Sequence, residues 1–259
     1  MPLRIAFDLD GVLADMEAEL VRQAETLFGE AMTRRLQERA AHPDQTTSVV
    51  TPDSSEPSTD VVVGGPSGAE APLDNTPRLL KLNMTTCQQR KLWRHVEAIE
   101  NFWETLDELE SGVIRRLAEV ARERRWEIIF LTKRPQTAGA TTLVQTQRWL
   151  VSKGFELPSV FVVQGSRGRI AAALDLHIVV DDRPENCLDV VVDSKARAIL
   201  VWREDEKHVP AGTRRLGIGV VKTTAECLDV LAEVDTAADR PGVVDRVRRL
   251  FGLKEPTRV

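Results

Sequence analysis

The chain has 259 residues, 42% of them hydrophobic, which is enough for one sizeable core and a smaller accessory domain. Its 35 basic and 40 acidic residues give a formal net charge of −5, which disfavours nucleic acid as a partner and favours a protein that acts on a small molecule. The three cysteines lack Cys-x-x-Cys spacing, so we expect neither a zinc site nor a disulfide framework. No basic-then-apolar leader precedes the first predicted strand, and no apolar run approaches the roughly 18 residues of a membrane span. We therefore expect a cytoplasmic protein without a membrane partner.

The first predicted element is an apolar strand that runs directly into two carboxylates and a glycine, Ile5-Ala6-Phe7-Asp8-Leu9-Asp10-Gly11. Side chains two positions apart on a strand leave the same face, so Asp8 and Asp10 share a face if the strand extends that far, and Gly11 allows a sharp turn after them. Two acids at one strand end are either solvated groups that cap the strand or groups that hold a cation.

The next region is predicted to be a helical insertion with a poorly ordered middle. Apolar residues at helical spacing predict one or two helices over residues 15–41, a helix over 85–99 and, after a break, a further helix over 101–109. Residues 43–80 are rich in Pro, Ser, Thr, Asp and Gly, a composition that predicts disorder. Within it, Gly64-Gly65-Pro66-Ser67-Gly68 lacks the Lys-Ser/Thr ending of a phosphate-binding loop.

Several aromatic residues and histidines are better explained as structural than as functional. Trp93, Phe102 and Trp103 could stack on a nucleobase, but aromatic residues at helical spacing are typical of a core. His95 and His177 have no partner at the spacing that metal or triad chemistry needs.

From residue 111 onward, helices and strands alternate along the chain. We predict helices over 112–125, 137–153, 167–174, 184–192 and 224–234, and strands over 126–131, 159–163, 177–180, 196–202 and 218–221. This alternation predicts an α/β fold with a Rossmann-like parallel sheet and helices on both faces. The predicted domains are a core of residues 1–14 and 110–235, a helical cap inserted over 15–109, and a C-terminal helix and tail over 236–259, whose basic amphipathic stretch is expected to dock on its own domain rather than on a membrane.

Three of the predicted strands end in polar chemistry. The first ends at Asp8 and Asp10, a second at Thr132-Lys133-Arg134-Pro135, and a third at Asp181-Asp182-Arg183-Pro184. Ligands of open parallel sheets bind outside the carboxyl ends of the strands, so these groups can converge on one site although they are far apart in the chain.

These residues resemble the haloacid dehalogenase (HAD) superfamily of aspartyl-phosphate phosphohydrolases. The first motif is matched by Asp8-Leu9-Asp10-Gly11-Val12, the second by Leu131-Thr132, the basic third by Arg167-Gly168-Arg169 and the acidic fourth by Asp181-Asp182. The strings after the second and third strand ends look most similar to the 5'(3')-deoxyribonucleotidase branch. The resemblance covers about residues 1–15 and 110–202, and it implies a HAD-like core with a cap that closes over the phosphate site.

The chemistry of phosphoester hydrolysis explains the carboxylates independently. A carboxylate can attack phosphorus if a divalent cation offsets its repulsion from the phosphate, and we expect Asp8 to be this nucleophile. Asp10 is then free to protonate the leaving alkoxide and to deprotonate the attacking water. Mg²⁺ needs only one or two protein carboxylates, for which Asp8 and Asp181 are expected, while Asp182 would hold a water or orient a neighbour. The resemblance adds the backbone carbonyl of Asp10 to the metal ligands.

Phosphate binding is expected from three further residues. Thr132 can donate its hydroxyl to a phosphoryl oxygen, although it could instead be the N-cap of a following helix, and Lys133 is a further phosphate-binding candidate. The family usually has a Lys in its third motif, where this chain has Arg167 and Arg169. Arg167 is the better candidate because it precedes Gly168 in the family's pattern, and arginine keeps the charge while adding a fork that suits phosphate.

The sequence thus predicts a magnesium-dependent phosphomonoester hydrolase that acts on a nucleotide or another small phosphorylated substrate. Two alternatives remain open: a phosphatase that processes nucleic-acid ends, and a catalytically idle HAD-like binding or regulatory module. The net acidic charge argues against the first, and the presence of every carboxylate that the chemistry needs argues against the second. The oligomeric state is left open.

Overall fold

The computed structural model describes residues 2–41 and 82–237. The segment predicted to be poorly ordered, residues 43–80, and the basic stretch predicted near the C-terminus lie outside the described residues. Within the described ranges, no helix is both long and apolar enough to cross a membrane.

Six parallel strands form one sheet in the order β3-β2-β1-β4-β5-β6. The strands are β1 (Arg4–Asp8), β2 (Glu127–Thr132), β3 (Ser159–Val162), β4 (Ile178–Asp181), β5 (Arg197–Val201) and β6 (Gly219–Val221). β1 lies between β2 and β4, with Asp8 opposite Leu131 and Phe7 opposite Val180. The carboxyl ends of β1, β2 and β4 are therefore neighbours at one edge of the sheet.

Residues of α4 to α8 cover the two faces of this sheet. The helices of the described residues are α1 (Met16–Phe28), α2 (Glu30–Ala41), α3 (Thr86–Ala98), α4 (Val113–Arg124), α5 (Thr142–Ser152), α6 (Arg167–Ala173), α7 (Pro184–Asp193) and α8 (Thr224–Ala237). Ile5 and Phe7 of β1 belong to one buried cluster with residues of α4, α5 and α8, whereas Ala6 belongs to a second with residues of α6 and α7. This alternation follows from the period of two along a strand. The predicted α/β fold, with a parallel sheet between two helical layers, is confirmed.

Helices α1 to α3 lie between β1 and α4 in the chain, within the range predicted to be an inserted cap. Gly29, with φ +83°, separates α1 from α2, and Thr85 begins α3 with a capping box that it forms with Gln88. Helix α1 packs on both α2 and α3. Trp93 of α3 is buried, as predicted for a core residue.

Two predicted helices are wrong in extent. Residues 101–109 form only a short 3-10 turn, Phe102–Glu104, because Asn101 adopts a left-handed backbone and the Trp103 N–H donates to the Gln145 side chain instead of continuing a helix. The helix predicted from residue 137 begins at Thr142, where the Thr141 hydroxyl caps it. Phe102 and Trp103 are fully buried, which confirms them as core residues.

Candidate active site

Four carboxylates and one threonine meet at the carboxyl edge of the sheet. Asp8, Thr132 and Asp181 are the last residues of β1, β2 and β4, and all three are buried. Asp10 follows β1 after a further residue, and the Thr132 hydroxyl faces its Oδ2 at 3.5 Å. The strand ends at Asp8, so the condition under which Asp8 and Asp10 would share a strand face is not met. Asp8 pairs with Arg167, and Asp10 pairs with Arg134.

Arg167 bridges two of these carboxylates. It is the first residue of α6 and nearly fully buried; its Nη2 donates to Asp8 Oδ1, and its Nε lies 3.5 Å from Asp181 Oδ2. Its Nη1 is buried without a hydrogen-bond partner among the described residues. Arg169 is exposed. Of the two arginines considered, Arg167 is therefore the one that lies at the carboxylates.

The position of Arg167 depends on close packing between α6 and α7. A Cβ on Gly168 would lie 2.0 Å from the Asp189 carbonyl oxygen and 2.6 Å from the Cβ of Asp193. Only glycine allows α6 to approach α7 at this distance. Ser166 caps the helix by accepting a hydrogen bond from the Arg169 N–H.

Asp181 is fixed by the start of α7. Its Oδ1 accepts a hydrogen bond from the Arg183 N–H at 2.9 Å, and the Asn186 amide donates to both of its oxygens at 3.0 Å. The sequence prediction did not include Asn186. The available signal was an amide in the first turn of the helix that follows an acidic strand end.

Asp182 lies against the turn at Gly11. Gly11 has φ +90°, and a Cβ there would lie 2.0 Å from Asp182 Oδ2, so this position needs glycine for both its conformation and its space. Asp182 Oδ1 is buried and has no hydrogen-bond partner among the described residues. A buried carboxylate oxygen in this state is expected to bind a water or another ligand group.

Burial and crowding shift the protonation of this cluster. Burial raises the pKa of Asp8 to about 7, because desolvation and the charges of Asp181 and Asp10 together outweigh the opposing charge of Arg167. Burial also raises the pKa of Asp181, against the effect of Arg167, and it raises that of Asp182 well above its usual range, helped by Asp181 and Asp8. The protein's own cations therefore compensate the carboxylates incompletely.

The donor set suits a hard divalent cation. It consists of carboxylate oxygens, and Mg²⁺ requires only one or two such ligands beside waters and substrate oxygens. The buried oxygen without a partner, Asp182 Oδ1, is placed to accept from a water of such a cation. Among residues 2–41 and 82–237, no group of three or more His, Cys, Asp or Glu side chains is arranged to hold a metal. A site with the side chains of Asp8 and Asp181 needs no third one, so the residues present fit Mg²⁺.

Arg134 is a site residue that sequence reasoning missed. Its guanidinium forms a fork with Asp10, with Nε at 3.0 and 2.9 Å from the two oxygens and Nη2 at 2.7 Å from Oδ1. Lys133, chosen as a phosphate-binding residue, is partly exposed and forms no ion pair with a carboxylate of the described residues. Lys133 and Arg134 follow the same strand, so the sequence does not show which of them points into the site. In the structure Arg134 is buried and Lys133 is partly exposed.

The structure also settles the local contacts of Thr132 and of the two histidines set aside above. The Thr132 hydroxyl accepts from the Arg134 N–H at 3.2 Å, so it caps the turn after β2, while Thr141 caps the helix. His177 Nδ1 accepts a hydrogen bond from the Arg4 N–H, and His95 Nε2 lies 3.0 Å from the Gln23 amide oxygen. Both histidines are thus satisfied outside the carboxylate cluster.

The chain is similar to several solved structures. A protein from Thermotoga maritima named as a beta-phosphoglucomutase is 20% identical, with a TM-score of 0.48, and the match covers 90% of this chain and 99% of that one. A hydrolase from Pseudomonas syringae is 17% identical, with a TM-score of 0.46 and coverage of 90% and 99%. A HAD family hydrolase from Deinococcus radiodurans with bound phosphate and sodium is 14% identical, with a TM-score of 0.47 and coverage of 93% and 97%. No family model and no curated protein matches the chain. At TM-scores below 0.5, the assignment of chemistry depends on the residues of this chain.

Proposed function

We propose that the protein is a magnesium-dependent phosphomonoester hydrolase of the HAD type that works through an aspartyl-phosphate on Asp8. The observation that carries this proposal is the buried Asp8 at the end of the central strand, bonded to Arg167 and accompanied by Asp10 two residues later. A buried carboxylate with a guanidinium on one oxygen keeps its second oxygen for attack on phosphorus. The nearby buried cation can stabilise the charge that develops on the phosphoryl oxygens.

The reaction divides between the two carboxylates. Asp8 Oδ2 forms a bond to phosphorus while the bond from phosphorus to the ester oxygen breaks, and Asp10 gives a proton to the departing oxygen. Asp10 then takes a proton from a water that attacks the aspartyl-phosphate, which releases phosphate and regenerates Asp8. A bound Mg²⁺ would be held by Asp8, Asp181 and the Asp10 carbonyl, and it would offset the charge of the phosphate. Thr132, Lys133 and Arg167 are the proposed phosphate-binding residues.

The substrate is proposed to be a nucleotide or another small phosphoester. The side chains of Asp8 and Asp10 are only 10% and 14% exposed, which favours a terminal phosphate over a phosphodiester within a polymer. The short strings around the site favour a nucleotide, by analogy with the deoxyribonucleotidases. The insertion that contains α1 to α3 is proposed to act as the cap that selects the substrate, in a cytoplasmic enzyme.

The test is a steady-state assay with a panel of phosphoesters, with and without Mg²⁺, together with chemical trapping of the intermediate. We expect turnover that requires Mg²⁺, and borohydride reduction during turnover should convert one aspartate, Asp8, to homoserine, detected by mass spectrometry of the peptide. Asp8→Asn should abolish turnover and trapping while circular dichroism stays unchanged, and Asp10→Asn should lower turnover by about 100-fold or more. Absence of turnover for the whole panel would favour a binding module, and salt-dependent affinity for oligonucleotides would favour nucleic-acid ends.

A further inference from the structure

We infer that Arg134 is a positioning residue for the proton transfer by Asp10, and that Trp103 and Trp149 hold its guanidinium in place. This inference rests on the proposed function, since it assigns the support of the acid and base of that reaction. Three nitrogen-oxygen contacts of 2.7 to 3.0 Å join the guanidinium to both oxygens of Asp10. A two-oxygen fork fixes the plane of a carboxylate as well as its position.

The fork leaves Asp10 able to act on substrate. The Arg134 side chain is fully buried, whereas that of Asp10 keeps 14% of its surface exposed, so the carboxylate is held from the protein side and is open on the other. Asp10 Oδ1 accepts from Nη2 at 2.7 Å and from Nε at 3.0 Å, whereas Oδ2 accepts from Nε at 2.9 Å and from the Thr132 hydroxyl at the longer distance of 3.5 Å. Because its second contact is long and therefore weak, Oδ2 is the oxygen that exchanges a proton at the lower cost.

Two aromatic rings restrict Arg134. Its guanidinium carbon lies 4.9 Å from the centre of the Trp103 ring and 5.5 Å from that of Trp149. Cations within about 6 Å of a ring centre are attracted to its face, and a buried guanidinium benefits more than an exposed one. Nη1 also donates to the Thr146 hydroxyl at 3.3 Å. These contacts leave the guanidinium little freedom to rotate away from Asp10.

Each ring is itself held by a hydrogen bond to a backbone carbonyl. Trp103 Nε1 donates to the Pro135 carbonyl at 2.9 Å, and Trp149 Nε1 donates to the Leu106 carbonyl at 2.7 Å. The loop after β2, which carries Arg134, is thereby tied to the end of the inserted segment, and that segment is tied to α5. The orientation of Asp10 thus depends on residues that connect the proposed cap to the core.

Proton transfer predicts a dependence on the leaving group. An alkoxide leaves poorly and needs a proton from Asp10, whereas nitrophenolate leaves without one. Loss of the support for Asp10 should therefore slow hydrolysis of an alkyl phosphate much more than that of p-nitrophenyl phosphate. A role in folding alone would slow both substrates equally, and a role in substrate binding would raise KM.

The experiment compares Arg134→Ala, Arg134→Lys and the control Arg148→Ala on ethyl phosphate and p-nitrophenyl phosphate. Arg148 is an exposed arginine of α5 that pairs with Glu104, and its removal should leave both rates unchanged. Arg134→Ala should lower kcat for ethyl phosphate by about 100-fold or more and for p-nitrophenyl phosphate by less than about tenfold, with KM unchanged in both. Lysine provides a single point of contact instead of a fork, so Arg134→Lys should show the same selectivity with a smaller loss.

A second measurement uses the space that Arg134→Ala leaves beside the tryptophan rings. Guanidinium ions at millimolar concentration should restore part of the lost kcat for ethyl phosphate, whereas urea, which has the same shape without the charge, should not. If Arg134→Ala is unfolded by circular dichroism, the ratio of the two rates in Arg134→Lys decides the question.

The outcomes separate the inference from the proposed function. Equal losses on both substrates, or a change confined to KM, would overturn the positioning role while an Asp8-dependent turnover of the unaltered enzyme leaves the proposed function intact. An unaltered enzyme that hydrolyses neither substrate nor any phosphoester of the panel would overturn both.

Discussion

Arg167 is the residue on which the charge balance of the buried carboxylates depends. It contacts both Asp8 and Asp181, and its loss would leave them as a poorly compensated anionic site. We expect Arg167→Ala to lower turnover by about two to three orders of magnitude, comparable to the loss of a positioned transition-state donor. The exposed Arg169 is the matched control, and Arg169→Ala should be nearly silent.

Circular dichroism and kinetics of these two variants and of Arg167→Lys, which keeps the charge, provide the measurement. A folded Arg167→Ala with full activity beside an impaired Arg169→Ala would reverse the assignment. If neither change matters, the cation must come from elsewhere, with Lys133 the next residue to test.

The raised pKa of Asp8 predicts how the free energy of unfolding depends on pH when no divalent cation is present. Its pKa is raised from 3.8 to about 7, chiefly by burial, so between these values the folded state holds a proton that the unfolded state has lost. Stability should therefore fall as the pH rises from about 4 to 7, and the raised pKa values of Asp181 and Asp182 act in the same direction. In thermal unfolding from pH 5 to 8 in EDTA, the melting temperature should decrease, and less steeply in Asp8→Asn.

Added Mg²⁺ should raise the melting temperature most at pH 8, where the carboxylates are ionised and bind the cation best. An equal slope in Asp8→Asn, or a Mg²⁺ effect that is largest at pH 5, would contradict this account of the cluster.

Residues were predictable from the sequence where their chemistry follows from a local string. Asp8, Thr132 and Asp181 end apolar strands, and parallel topology alone requires those ends to meet. Arg134 was missed because its partner, Asp10, is distant in the chain. Asn186 was missed because its contact with the nearby Asp181 depends on the side-chain rotamer. A cation one residue away, Lys133, was indistinguishable from Arg134 without knowledge of burial.

At the scale of elements, the contact between α6 and α7 sets the position of Arg167. The Cβ of an alanine at residue 168 would overlap the Asp189 carbonyl, so the two helices must separate. We expect Gly168→Ala to destabilise the fold by about 1 to 3 kcal/mol, although alanine favours a helix, and to lower turnover because Arg167 moves with α6. Gly165→Ala is the matched control, since no atom lies within 4 Å of a Cβ there.

Chemical denaturation and kinetics of both glycine variants test this packing argument. A neutral Gly168→Ala would show that the helices can separate without moving the arginine, and a Gly165→Ala variant that is equally damaged would show that the effect does not come from helix packing.

Elements were predictable where periodicity alone determines them. The strands were predicted to within one or two residues because β-branched runs alternate with helical spacing. The helices predicted to begin at residues 101 and 137 were wrong because side-chain contacts between distant parts of the chain replace helical hydrogen bonds there. Gln145 donates to the Ala138 and Ala140 carbonyls and accepts from the Trp103 N–H, so residues 133–141 satisfy their backbone as a loop that carries Arg134.

At the scale of the whole molecule, the site is assembled from segments that only the sheet brings together. The site residues come from four separate strand ends or helix starts and are Asp8, Arg134, Arg167 and Asp181. The strand that ends in Asp8, β1, pairs with β2, which ends in Thr132, and with β4, which ends in Asp181. The order of the strands therefore determines the site more than any single motif. Sequence alternation predicted the parallel sheet, but not the strand order on which these contacts depend.

The insertion can be shortened if its described ends hold themselves together. The Asn83 N–H donates to the Leu36 carbonyl at 3.1 Å, and Leu36 and Leu82 are buried, so α2 is joined to the segment before α3 without the intervening residues. Deletion of residues 44–76 leaves residues 37–43 and 77–82 to make this connection. The composition of the deleted part predicts little apolar burial, and the shorter loop should reduce the entropy of closure by about 1 kcal/mol. We expect a melting temperature that is unchanged or about 2 to 4 °C higher.

Leu36→Ala is the control that shows the sensitivity of this junction, because removal of a buried leucine typically costs about 2 to 5 kcal/mol. A decrease of ten degrees or more on deletion would show that the deleted residues contribute to the fold, and thermal unfolding of the two variants beside the full chain decides between these outcomes.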